Sequence, residues 1–173
     1  MAISFRQLAV AGASLALCAC GTSNEPADMP LGTVQQMMAN EVQPAADVYW
    51  GAVKFESLLV DGEVVERDIK PETDEQWEEV RASAARLGEL GGVLLTPAYS
   101  DGRGQDWLDY AQGLIDVSKQ AEQAAIDQDP DAEFEVGGTI YNVCRACHQM
   151  YPPEELPEGM TVDDLPADEN AAE

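Results

Sequence analysis

The chain has 173 residues and a formal net charge of −24 at pH 7, from 33 acidic and 9 basic residues. This length indicates a single domain, and the charge argues against a nucleic-acid ligand, because nucleic-acid binding requires basic patches. Such acidity favours solubility and basic partner proteins. It is also typical of salt-adapted hosts, so the charge alone indicates no specific function.

Residues 1–19 have the pattern of an export signal. Arg6 supplies a short positive region, and residues 8–17 form an apolar run that is too short to span a membrane. The run ends in Leu-Cys-Ala-Cys-Gly, which resembles a bacterial lipobox and implies cleavage before Cys20 and lipidation of its thiol. Lipidation of Cys18 and cleavage without lipid are the alternatives. We therefore predict a lipid-anchored protein on the periplasmic side of a bacterial envelope membrane, or otherwise in the soluble periplasm.

Residues 20–30 are polar, contain two prolines and suit a flexible tether. A first helix of about 20 residues then follows, because apolar residues recur every three or four positions. Pro44 should kink or break this helix near residues 42–43. Met38 lies on the predicted inward stripe and Met37 lies beside it, although a flexible core filler is the alternative role for Met38. The stripe consists of Leu31, Val34, Met38, Val42, Ala45, Tyr49 and Ala52.

Residues 57–69 differ in character from the helical stretches on either side. The turn dipeptide Asp61-Gly62 separates two short apolar runs, so we interpret this stretch as a loop excursion compatible with two small strands. A capping box of Thr73 and Gln76 then begins a second helix, which ends before Pro97. Its predicted buried face is Trp77, Val80, Ala84, Leu87, Gly91 and Leu94.

A third helix is predicted over residues 106–127 and a fourth over residues 132–151. Gly137 and Gly138 each cost the fourth helix about 1 kcal/mol relative to alanine, which a close neighbouring helix, a porphyrin or a later helix start would explain. Residues 153–173 form an acidic tail that we expect to be disordered. The predicted inward face of the fourth helix is Gly137, Ile140, Tyr141, Cys144, Cys147, His148 and Tyr151.

Near the end of the fourth helix lies Cys-Arg-Ala-Cys-His, the attachment signature of a c-type haem. Positions three and four apart share one helical face, so Cys144 and Cys147 can form two thioethers with one porphyrin edge. His148 then points its imidazole at the iron. A redox-active dithiol and a metal site are the alternatives, but His148 is the single histidine and zinc needs four ligands.

Four amphipathic helices with short connections predict an all-α, antiparallel up-down-up-down four-helix bundle over residues 31–152. Cofactors of such bundles bind between facing helices, so the fourth helix can present one haem to the first. Cys18 would be removed with the signal, lipid would occupy Cys20, and haem would occupy Cys144 and Cys147. No cysteine pair would then remain to form a disulfide in the domain. Two aromatic pairs, Trp77 with Trp107 and Tyr49 with Tyr141, suit either the core or haem contacts.

The leader, the four helices and the motif on the last helix resemble the class II c-type cytochromes, the cytochrome c-prime family. The resemblance implies one covalent haem c, with His148 as proximal ligand and a first-helix residue on the distal side of the iron. In low-spin members this residue is a methionine, and Met38 matches its position. The chain departs from the family in having Val34 where a basic residue is common, in Pro44 and in the hairpin-like insertion.

His/Met ligation favours one-electron transfer as the function. The alternative is a five-coordinate haem protein that binds nitric oxide or carbon monoxide, and a purely structural haem is a third hypothesis. The chain has no second histidine and no nucleophile motif, so we do not expect an enzyme. The expected partner is a redox protein with a basic docking surface, and the resemblance leaves a homodimer open.

Overall fold

The computed structural model describes residues 29–156, 158–161 and 164. The predicted export signal, Cys18, Cys20 and most of the predicted tether lie outside these residues, as does most of the predicted acidic tail. The described chain is mostly helical, with one two-stranded antiparallel sheet. None of its helices combines the length and the apolar character needed to cross a lipid bilayer.

The first helix, α1, consists of an α-helical segment Val34–Met37, a π-helical segment Met38–Val42 and an α-helical segment Gln43–Ala52. Thr33 caps it through a capping box with Gln36. Pro44 has no N–H for the regular bond to the carbonyl four residues earlier. The predicted disruption at residues 42–43 therefore takes the form of a widened π-helical turn just before Pro44, and the helix is not broken.

The predicted excursion is a regular β-hairpin that is longer than expected. Strand β1 covers Lys54–Val60 and strand β2 covers Glu63–Ile69. Asp61 and Gly62 both have positive φ, 53° and 87°, as a two-residue type I′ turn requires. Most residues of both strands are exposed, so the hairpin projects from the helices.

Three more long helices begin and end within about two residues of their predicted bounds, α2 over Asp74–Leu94, α4 over Gln105–Ile126 and α5 over Pro130–Met150. The short helix α3 over Pro97–Ser100 was not predicted. The Thr73–Gln76 capping box is confirmed at the start of α2. Helix α5 begins two residues early because Asp129 caps its N-terminus and Pro130 suits its first turn.

The core lies where α2 packs along α4, α4 along α5, and α1 against α2. Every predicted inward residue of α2 is buried. Gly91 allows the close approach of α4, because a Cβ at this position would lie 2.8 Å from Ile115 Cγ1. In α4 helical periodicity predicts an inward stripe of seven residues, of which all but the partly covered Ile115 are buried: Trp107, Ala111, Leu114, Ile115, Ser118, Ala121 and Ala125.

The predicted inward face of α5 is buried only in its first half. Gly137 and Ile140 are buried, but Tyr141 and His148 are exposed and the two cysteines are only partly buried. Glu133, a charged residue that the prediction left outside, is 2% exposed. The physical reason is that α1 covers only the first half of α5.

Candidate functional site

Helices α1 and α5 touch at one end and separate at the other. Tyr49 Oη donates a hydrogen bond to the Glu133 carbonyl at 3.4 Å, and Trp50 Nε1 donates one to the Gly137 carbonyl at 2.9 Å. A Cβ at Gly137 would lie 3.3 Å from Trp50 Cδ1, so this glycine permits the close approach. Close approach of another helix, one of the predicted explanations of Gly137, is therefore what the structure shows.

Towards the C-terminal end of α5 the space between the two helices is a cavity of about 510 Å³. This volume falls within the range of about 300–1,000 Å³ that small-molecule and cofactor sites occupy. Met38 lies on the α1 side, and Cys144, Cys147 and His148 lie on the α5 side. The structure thus brings all four predicted site residues to one cavity. Its other apolar and aromatic lining residues include Val42, Ala46, Trp50, Leu94, Trp107, Ala111, Leu114, Tyr141 and Val143.

A second cavity of about 380 Å³ adjoins the first. Met38, Trp107, Cys147 and His148 line both, and we call the combined space the α1–α5 cleft. The chain after α5 closes one side of the second cavity with residues 151–154. Gln35 Nε2 donates a hydrogen bond to the Glu154 carbonyl at 3.0 Å, which joins this segment to α1.

The two methionines of α1 occupy different environments from those expected. Met37 is fully buried in the hydrophobic core, whereas Met38 is partly buried and faces the cleft. The π-helical segment begins at Met38, and such segments are frequent at functional sites. Met38 therefore lines the cavity together with Cys144, Cys147 and His148, and Met37 is the more deeply buried residue.

The thiols of Cys144 and Cys147 are free and partly buried. Burial raises the pKa of both thiols, although the Arg103 guanidinium acts against this rise at Cys147. A redox-active cysteine needs a lowered pKa, because the thiolate is the nucleophile. The environment therefore disfavours the redox-dithiol alternative.

Arg103 is a cleft residue that the sequence analysis missed. Its guanidinium carbon lies 3.9 Å from the centroid of the Trp107 ring, and its Nε donates a hydrogen bond to the Tyr99 carbonyl at 3.0 Å. Burial lowers the pKa of Arg103, and the neighbouring Tyr151 and Cys147 oppose this effect. The available sequence signal was the spacing of four residues from Arg103 to Trp107, at the start of a helix.

Among the described residues no group of three or more His, Cys, Asp or Glu side chains is placed to hold a metal ion. No protein-family model, no curated protein and no solved structure matches the chain. The function of the protein is therefore inferred from the residues of the cleft.

Proposed function

We propose that this protein is a class II c-type cytochrome that transfers single electrons. In this proposal α1, α2, α4 and α5 act as a four-helix bundle that holds one covalent haem c in the α1–α5 cleft. The proposal rests on one observation: Met38 lines the same cavity as Cys144, Cys147 and His148. Met38 is separated from the motif by more than 100 residues in sequence, so their proximity is independent of the motif itself.

The chemistry of the lining residues fits a haem. Cys144 and Cys147 would hold the haem through two thioethers, and His148 and Met38 would supply the imidazole and thioether donors to its iron. Imidazole and thioether are the donor pair of the cytochromes c, in which they raise the reduction potential. The apolar and aromatic residues around these donors suit a flat, mostly apolar ring.

Bound haem supplies the one-electron couple, and the chain supplies position and environment. Cys144, Cys147 and His148 lie on one helix, which fixes their mutual spacing. Trp107 is held by a hydrogen bond from its Nε1 to the Leu94 carbonyl at 2.8 Å and presents an apolar ring to both cavities. A site held in this way favours electron exchange with little rearrangement.

The location and partner belong to the same proposal. Export and lipidation of Cys20 would place the domain on the periplasmic side of an envelope membrane, and the acidic surface would dock a basic redox protein. The Cys20→Ser variant tests the anchor, because loss of lipid should release the protein from the membrane fraction. Wild-type protein without lipid by mass spectrometry would contradict it.

Covalent attachment is tested by producing the protein with a c-type maturation system. We expect haem to stay with the polypeptide on a denaturing gel, and the Cys144→Ala/Cys147→Ala double variant to lose it. The control is Cys20→Ser, which changes a cysteine outside the motif. Haem staining that survives the double substitution would contradict covalent attachment at these cysteines.

Met38→Leu tests the distal ligand, because leucine keeps the volume of methionine and removes the sulfur. We expect ferric haem to shift towards high spin, ferrous haem to bind carbon monoxide, and the potential to fall. Met37→Leu makes the same change at the adjacent, fully buried methionine and should leave the optical spectrum unchanged. A wild-type protein that is already high-spin, with no spectral change in Met38→Leu, would instead support the gas-binding function.

A further inference from the structure

Arg103 is held rigidly at the edge of the α1–α5 cleft. Its guanidinium stacks over Trp107 and lies 5.9 Å from the centroid of the Tyr151 ring. The rings of Trp107 and Tyr151 pack edge to face at 5.1 Å. With its Nε bonded to the Tyr99 carbonyl, the side chain has little freedom to swing into solvent.

The terminal nitrogens of Arg103 have no acceptor among the described residues. A guanidinium has five N–H donors, and the one hydrogen bond that the Arg103 guanidinium donates to a described residue uses Nε. It forms no ion pair within the described ranges, whereas Arg81 and Arg86 each contact two glutamates. Glu154 is the acidic residue that lines the same cavity, and it is exposed and not paired with Arg103.

A partly buried cation without a counter-charge is costly, and it is unusual in a chain of net charge −24. The planar guanidinium fork matches a carboxylate in a bidentate arrangement. The fork lines the cavity that Cys147 and His148 also line. An anionic group in this cavity would satisfy both the charge and the unused donors.

We infer that Arg103 is the carboxylate-binding residue of the α1–α5 cleft. The carboxylate has two sources: a propionate group of the haem, in which case the inference rests on the proposed function, or a free small carboxylate that enters the second cavity. Either source accounts for a charge that the described protein groups leave unbalanced.

The experiment compares full-length wild-type protein with Arg103→Lys and Arg103→Gln. Arg67→Gln is the matched control, because Arg67 is an exposed arginine of β2. The first measurement is the resonance Raman propionate-bending band of the haem-loaded proteins, which reports hydrogen bonds to the propionates. The second is a titration with sodium acetate against sodium chloride at equal ionic strength, followed by haem absorption and tryptophan fluorescence.

If a propionate is bound, the bending band should shift in Arg103→Gln and be partly restored in Arg103→Lys, with no saturable acetate response in wild type. If a free carboxylate is bound, the spectral change with acetate should saturate in the wild type. Acetate should then bind at least tenfold more weakly to Arg103→Gln. Arg67→Gln should match wild type in both measurements. An unchanged band together with no saturable acetate response would overturn the inference.

The acetate titration also separates this inference from the proposed function. If the protein carries no covalent haem, the proposed function fails, and acetate binding to the haem-free chain still tests Arg103. If Arg103→Gln does not fold, the inference is tested by the acetate titration of the wild type and by the propionate-bending band of Arg103→Lys. Circular dichroism of each variant establishes whether its helical content is intact.

Discussion

Glu133 is a buried carboxyl group whose protonation should control stability. It lies near the start of α5, beneath Tyr49, and is 2% exposed. It forms no ion pair with any described residue. Burial raises its pKa from an ordinary value of 4.5 to about 7, because the charged form is poorly solvated there.

The sign of the effect follows from proton binding. Between pH 4.5 and about 7 the folded protein holds this proton and the unfolded chain releases it, so stability falls as pH rises through this range. At about 1.4 kcal/mol per pH unit, the full cost above pH 7 is about 3 kcal/mol. Below pH 4.5 both states are protonated and the cost disappears.

Glu133→Gln removes the ionisable group and keeps nearly the same shape. We expect the variant to be more stable than wild type by about 3 kcal/mol at pH 8 and by less than about 1 kcal/mol at pH 5. Urea unfolding at both pH values measures the difference. Glu135→Gln, an exposed carboxyl two residues away, is the control and should change stability little at either pH. An equal stability difference for Glu133→Gln at pH 5 and pH 8 would refute the reasoning.

Two glycine pairs test the helix contacts by thermal unfolding. Gly137→Ala places a Cβ 3.3 Å from Trp50 Cδ1, and this tight contact should offset the gain of about 1 kcal/mol that alanine gives a helix, whereas Gly138→Ala meets open space and should stabilise by up to about 1 kcal/mol. Gly91→Ala places a Cβ 2.8 Å from a side-chain carbon and 3.2 Å from a backbone oxygen of α4, so it should destabilise by about 1–3 kcal/mol. Gly92→Ala has no atom within 4 Å and is its control. Equal melting temperatures within either pair would contradict the close helix approach.

Features that depend on neighbours in sequence could be predicted from the sequence. The capping box of Thr73 and Gln76 and the type I′ turn at Asp61-Gly62 are examples. Each is specified by interactions within four residues, because the backbone groups at a helix start or a tight turn need partners close by. The spacing of Cys144, Cys147 and His148 on one helix is of the same kind.

Helical periodicity alone does not predict which residues of α1 are buried. A uniform period of 3.6 residues places Met38 inward and Met37 aside. The π-helical segment at Met38–Val42 changes that register, so Met37 enters the core and Met38 faces the cleft. Pro44 signalled a disruption, but its form depends on how the core packs around the helix.

The four long helices, the hairpin and the Cys-x-x-Cys-His spacing could be read from the sequence, because short-range hydrogen bonds and side-chain spacing specify them. The contact of α1 with α5 at Tyr49 and Trp50, and the cleft beside Cys144 and Cys147, could be seen only in the folded protein. The tertiary structure also decided that Glu133 is buried and that Arg103 stacks beside the cleft. These outcomes depend on which helices approach one another and how closely, and that depends on the packing of side chains distant in sequence.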